Sequence, residues 1–338
     1  MNLGCSSFTW KTNNNKHLLG RTYDQFGTLD RNKIIVVPKG YEIYLDNETV
    51  EENKVFVKHP FVGMAILGLK TPILVDGVND KGLMGALLHY PQFAKYDRNK
   101  VHDAIDINPG FFISYILGGC SNIEDIIKIV KKINLKDENV FGEPIPVHYI
   151  FSDRSGETII IEPDEDGLTV HRKTIGVMTN SPNYVWHKQN LNNYSWVNNE
   201  AIESKVICGE NFNQYEITGM VIPGDYSSPS RFIKVALMKN FAPLGENEID
   251  GITRMFHCFS TVDIPDGIKA VNVPSGDYKG TYYEKTLCMS AICSESLTYY
   301  YTVSTNRRIC AINLNCEKKN KDIKYFDLEE KQDILYLN

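Results

Sequence analysis

Cys5, Arg21 and Asp24 place a thiol, a guanidinium and a carboxylate within the first two dozen residues. Their chemistry depends on the four residues in front, Met1-Asn2-Leu3-Gly4. If that leader is removed, Cys5 carries a thiol and a free α-amine on one Cα. An α-amine titrates at about 7.7–8.0 and a Cys thiol at about 8.5, so a proton passes between them cheaply near neutrality. A terminal amine acting as base on its own side chain is a known way to activate a nucleophile. Arg21 would favour the thiolate, and Asp24 would hold and orient the ammonium. Each residue also has a plainer reading. A lone Cys more often packs than reacts, and Arg21 with Asp24 could be a surface ion pair worth only ~0–1 kcal/mol.

Two later residues carry similar double readings. Asn180 follows an apolar run and precedes Ser181-Pro182. It is either a turn residue or an amide donor at a strand end, aimed at an oxyanion. Arg231 opens a helix after Ser228-Pro229-Ser230. A cation in a first turn opposes the helix dipole unless it has a partner.

The elements must bring these residues together. Residues 5–10 and 17–24 are β-prone and flank the polar turn Thr12-Asn13-Asn14-Asn15, so they read as a hairpin. Residues 33–37 read as a strand stopped by Pro38. Residues 55–57 and 61–67 read as a strand pair split by His59-Pro60, and 73–78 and 82–90 as further strands. Residues 111–117 are helical, and Ser121-Asn122-Ile123-Glu124 reads as a capping box for the next helix. A hairpin follows over 147–152 and 157–162, then strands at 167–172 and 175–179. Helices are expected over 184–194, 231–240 and 246–259, with strands at 281–293, 297–303 and 308–314. Residues 317–321 read as a surface turn. Two packed antiparallel sheets with helices outside, an α+β arrangement, satisfy this order.

The bulk numbers exclude several classes. The chain has 338 residues, 42% hydrophobic and 23% charged, which suits a globular protein. A net charge of −6 and no basic run argue against nucleic acid. No apolar stretch approaches membrane-spanning length. Leu3-Gly4-Cys5 resembles a lipoprotein cleavage site, but no charged or apolar region precedes it, so a cytoplasmic location is expected. The eight cysteines contain no Cys-x-x-Cys pair and suggest no metal site.

The spacing of Cys5, Arg21 and Asp24 resembles the start of the choloylglycine hydrolase family, N-terminal-nucleophile hydrolases that include penicillin V acylases and conjugated bile acid hydrolases. Three further stretches resemble family motifs in family order: residues 75–85 (Val-Asp-Gly-Val-Asn-Asp-Lys-Gly-Leu-Met-Gly), 176–182 (Gly-Val-Met-Thr-Asn-Ser-Pro) and 223–232 (Pro-Gly-Asp-Tyr-Ser-Ser-Pro-Ser-Arg-Phe). Residues 4–7 and 162–186 look closest to the penicillin V acylases. The resemblance implies a four-layer α-β-β-α sandwich in a single domain, residues 5–338, behind a leader of residues 1–4. It implies catalytic roles for Cys5, Arg21, Asp24, Asn180 and Arg231, with no metal and no cofactor.

It also exposes departures. His89 stands where bile acid hydrolases carry Asn and penicillin V acylases Tyr. Its backbone N–H would serve the oxyanion, while its side chain would bear on substrate preference. Tyr23 replaces a usual Met, narrows the pocket, and could stack on an aryl group. Glu216 lies where relatives have a glycine-rich loop and would disfavour anionic substrates. The expected activity is hydrolysis of penicillin V or a similar N-acyl amide. Bile acid conjugates and then N-acyl homoserine lactones are the alternatives. Family members are often homotetramers, and the same is expected here. The rival from another class is an unprocessed homologue that binds without catalysis. Asn2 is not small, so aminopeptidases should stall after Met1 and leader removal should be self-cleavage, with Gly4 tolerating the strain.

Overall fold

The hairpin forms as its sequence dictates. Strand β1 (Cys5–Lys11) pairs antiparallel with β2 (His17–Gln25), with Cys5 opposite Tyr23 and Lys11 opposite His17. The Thr12 hydroxyl accepts the Lys16 N–H and donates to Asn14 Oδ1, closing the polar turn. The structure, a computed structural model, describes residues 4–47, 53–97, 103–201, 203–212, 219–273, 279–317 and 321–338. The sequence expectations for Met1–Leu3, for Glu216 and for most of the turn at 317–321 therefore lie outside the described residues.

The hairpin sits in a seven-stranded antiparallel sheet. Its order is Val177–Met178, β1, β2, Gly280–Cys293, Thr298–Val303 and Asn306–Asn313, with Lys269–Val273 paired to the start of the long strand. Facing it is a nine-stranded antiparallel sheet. That order is Gly167–His171, Thr158–Asp164, Val147–Ser152, Met84–His89, Asp76–Asn79, Phe61–Ile66, Asn32–Val37 and Lys324–Phe326, with Ile73–Leu74 beside Phe61–Ile66. Helices Ser228–Phe241 and Glu248–Phe259 pack on the outer face of the first sheet, and Phe112–Gly119 on the second. The expected α-β-β-α sandwich is the observed fold. Alternation along each strand supplies two faces, one for the inter-sheet core and one for the helices.

Gly20 shows how close the outer layer comes. A Cβ there would meet Met255 Sδ at 2.7 Å and a Phe259 ring carbon at 2.8 Å. Only glycine lets that helix rest directly on β2.

Two local expectations are corrected. Lys54–Phe56 pairs with Glu42–Tyr44 in a small separate sheet, and not with Phe61–Ile66. The helix Ile123–Ile129 is capped by Asn122, whose side chain accepts from the Asp125 N–H, one residue later than the Ser121 box predicts. Asn outranks Ser little as a cap, but Asp125 also reaches back to the Ser121 N–H, which fixes the chain one step along.

Candidate active site

Strand alternation splits the predicted trio across two faces of one sheet. Arg21 and Tyr23 share the inner face with Cys5, and Thr22 and Asp24 share the outer face with Ser6. The six residues are all buried.

On the inner face, Arg21 Nη2 donates to Cys5 Sγ at 2.8 Å. Its Nη1 reaches across to the facing sheet, donating to Val75 O at 3.1 Å and Leu87 O at 2.9 Å. The guanidinium carbon lies 5.0 Å from the centre of the Tyr23 ring. Asp76, fully buried, is the balancing charge. It accepts from the Tyr299 and Ser290 hydroxyls, and Arg21 opposes the upward push that burial gives its carboxyl. Arg21 favours the Cys5 thiolate, as expected, but does not outweigh burial. Burial pushes the thiol up, and the Arg21 charge offsets that only in part. With the Gly4–Cys5 peptide intact, burial therefore favours the Cys5 thiol.

On the outer face, Asp24 accepts from the Thr286 hydroxyl at 2.7 Å and the Thr22 hydroxyl at 3.1 Å. Arg231, reaching in from its helix, stands 3.9 Å away. Burial raises the Asp24 carboxyl to about 6, against the pull of Arg231. Arg231 is the partner-rich cation that its helix position called for. It donates to Cys5 O, to Ser6 Oγ at 2.8 Å, to Asn180 Oδ1 at 2.6 Å and to Tyr226 O at 3.0 Å.

Asn180 joins the two halves. Its Oδ1 accepts the Cys5 N–H at 2.9 Å as well as Arg231, and its Nδ2 donates to His89 O at 2.6 Å. Asn180 and His89, both expected at an oxyanion site, are thus neighbours beside Cys5. His89 is half-buried at the end of its strand. The Tyr23 ring face that could stack on an aryl substituent is turned to Arg21.

Several residues of the site were not named from sequence. His187 donates from Nε2 to Asn180 O at 2.9 Å, lies stacked on Phe232, and is held near pKa 4 chiefly by burial. His148 Nε2 holds the adjacent Thr179 O at 2.9 Å. Ser228 Oγ accepts the Asn180 N–H at 2.9 Å. Behind them, buried Glu162 takes His148, His171 and the Tyr184 N–H. The two histidines outweigh the cost of burying it and hold its carboxyl down near 2. Glu162 and Asp76 were each visible as an acid inside an apolar run. Nothing local marks His187.

The sequence model of the family described as linear amide C-N hydrolases, choloylglycine hydrolase family, matches residues 5–328. A bile salt hydrolase/transferase from Clostridium perfringens is 27% identical over 99% of this chain and 100% of its own. One from Lactiplantibacillus plantarum is 28% identical over 93% of both chains. The crystal structure of a mutant conjugated bile acid hydrolase from Clostridium perfringens superposes with a TM-score of 0.88 at 26% identity, covering 99% of this chain and all of that one. A penicillin V acylase from Agrobacterium tumefaciens shares the fold, with a TM-score of 0.70 at 18% identity over 95% of this chain and 90% of that one.

Proposed function

The chain belongs to the choloylglycine hydrolase family of linear amide C–N hydrolases, and from that premise we propose that it cleaves bile acids conjugated to glycine or taurine, with Cys5 as nucleophile. The observation that carries the reading is the convergence of Arg21, Asn180 and Arg231 on one buried cysteine. The preference for bile conjugates over penicillin V follows the relatives that match nearly the whole chain.

The chemistry begins with maturation. Cys5 Sγ attacks the Gly4 carbonyl carbon, the C–N bond to Cys5 breaks, and the nitrogen takes a proton. Water then cleaves the thioester, releasing the leader as a carboxylic acid and leaving a free α-amine. In turnover that amine takes the Sγ proton, and the thiolate attacks the acyl carbon of the substrate. Asn180 Nδ2 and the His89 N–H stabilise the oxyanion, which is worth roughly 2.7–4 kcal/mol per donor. The leaving amine takes the proton back from the ammonium, and water clears the thioester. The assembly is read as a homotetramer.

Two measurements on purified protein test this. Intact mass should show loss of the whole Met-Asn-Leu-Gly leader, which Cys5→Ala should retain. Matched kcat/KM values should rank glycocholate and taurocholate above penicillin V. The reverse ranking overturns the substrate and leaves the mechanism. Full activity with Met1 attached overturns the mechanism.

A further inference from the structure

Glu284 lies in the long strand Gly280–Cys293, on the outer face of the hairpin sheet, and is completely buried at 0% exposure. Its Oε1 pairs with Lys269 Nζ at 2.7 Å. Its Oε2 has no hydrogen-bond partner among the described residues. A buried acceptor without a donor costs roughly 1–3 kcal/mol, and more when charged, so the orphan oxygen calls for an explanation.

Gly4 supplies one. A Cβ built on Gly4 would lie 2.5 Å from Glu284 Oε1 and 3.2 Å from Arg231 Nη2. The carboxylate is therefore pressed against the leader residue whose bond to Cys5 is to be cut. Gly4 Cα is two bonds from the Cys5 nitrogen. In the uncut chain that nitrogen has one N–H, which goes to Asn180 Oδ1. Cutting creates an ammonium with three N–H groups and removes Gly4 from the space beside Glu284. Two new donors then need acceptors. Arg21, Arg231 and Lys269 can only donate; each Asp24 oxygen takes one hydroxyl and can accept one more donor, while Glu284 Oε2 takes none among the described residues.

We propose that Glu284 anchors the Cys5 α-ammonium of the mature chain, the carboxylate keeping a spare acceptor for the proton donor that leader removal creates, and that the same carboxylate, through Oε1, selects glycine at position 4. The proposal rests on the maturation step above. Glu284 is a positioning residue: it acts on the base, not on the substrate. The charged groups facing the new amine are Arg21 and Asp24 from β2, Arg231 from its helix, and the Lys269–Glu284 pair.

The test is Glu284→Gln in the full chain. An anion beside an ammonium favours its charged form. Removing that anion should move both limbs of the kcat/KM–pH profile to lower pH by about one unit, with KM at the optimum little changed. Glu284→Asp should keep the limbs near the wild-type position. A merely structural carboxylate would lower yield or rate and leave the limbs in place, and that outcome overturns the anchoring role. If Glu284→Gln yields no folded protein, intact mass decides instead. Gly4→Ala should keep its leader, and Gly4→Ala combined with Glu284→Asp should shed it. A Gly4→Ala chain that matures at the wild-type rate overturns the contact. A wild-type chain that never matures defeats the proposed function instead, so the two failures are distinguishable.

Discussion

Under the proposed function, Asn180 is the residue on which binding and chemistry should diverge most. Its carbonyl oxygen is held by Cys5 N–H and Arg231, which fixes the direction of its amide nitrogen. A donor fixed in this way, and aimed at charge that develops only in the transition state, raises kcat without tightening the ground state. Asn180→Ala in the mature enzyme is therefore expected to cut kcat by about 10²–10³, with substrate affinity measured on a Cys5→Ser protein little altered. Near-normal turnover would return Asn180 to the role of a turn residue. His187 would act one hydrogen bond further back, through the Asn180 backbone carbonyl. His187→Leu should lower kcat more than it raises KM, and a smaller fall in His187→Gln, which can still donate, would separate positioning from packing.

At the scale of elements, the hairpin was legible because its period-2 strands and polar turn are local signals. So were the succession of strand and helix segments along the chain and the helices that flank the sheets. Arg21 and Asp24 were read as one cluster, yet their spacing of three on an expected strand already puts them on opposite faces, with Cys5 bridging both. What sequence could not show is which face meets the second sheet, because that depends on a partner sixty residues away. Asp76 and Glu162 were visible only as acids out of place, and His187 only after its helix was docked. The inner-face pairing carries a stability prediction. Arg21→Met leaves Asp76 buried without its counter-charge, and should cost roughly 3–5 kcal/mol in denaturant unfolding. Arg21→Met with Asp76→Asn should cost less than the sum of the two single changes. Additive losses would mean that the two charges do not sense each other across the sheets.

For the molecule as a whole, two buried groups give stability opposite dependences on pH. They are best followed in a Cys5→Ala chain, which keeps its leader. His187 is lowered to about 4 by burial. Unfolded, it titrates near 6.5, so between pH 6.5 and 4 the unfolded chain binds more protons. Its contribution is full above pH 6.5 and is lost as pH falls toward 4, roughly 3 kcal/mol in all. Asp24 runs the other way. Burial raises it to about 6, against about 3.9 unfolded, so the folded chain binds more protons between those values. Its buried charge destabilises the fold increasingly as pH rises from 4 to 6, again by roughly 3 kcal/mol. The two terms nearly cancel between pH 4 and 6.5, and each is exposed by removing the other's source. Relative to the Cys5→Ala parent, an added His187→Phe change should improve in stability as pH falls from 6.5 to 4. An added Asp24→Asn change should improve as pH rises from 4 to 6. Denaturant midpoints measured at half-unit steps would show two difference curves of opposite slope. Parallel curves would mean that at least one of these groups is not buried in the charge state its surroundings dictate.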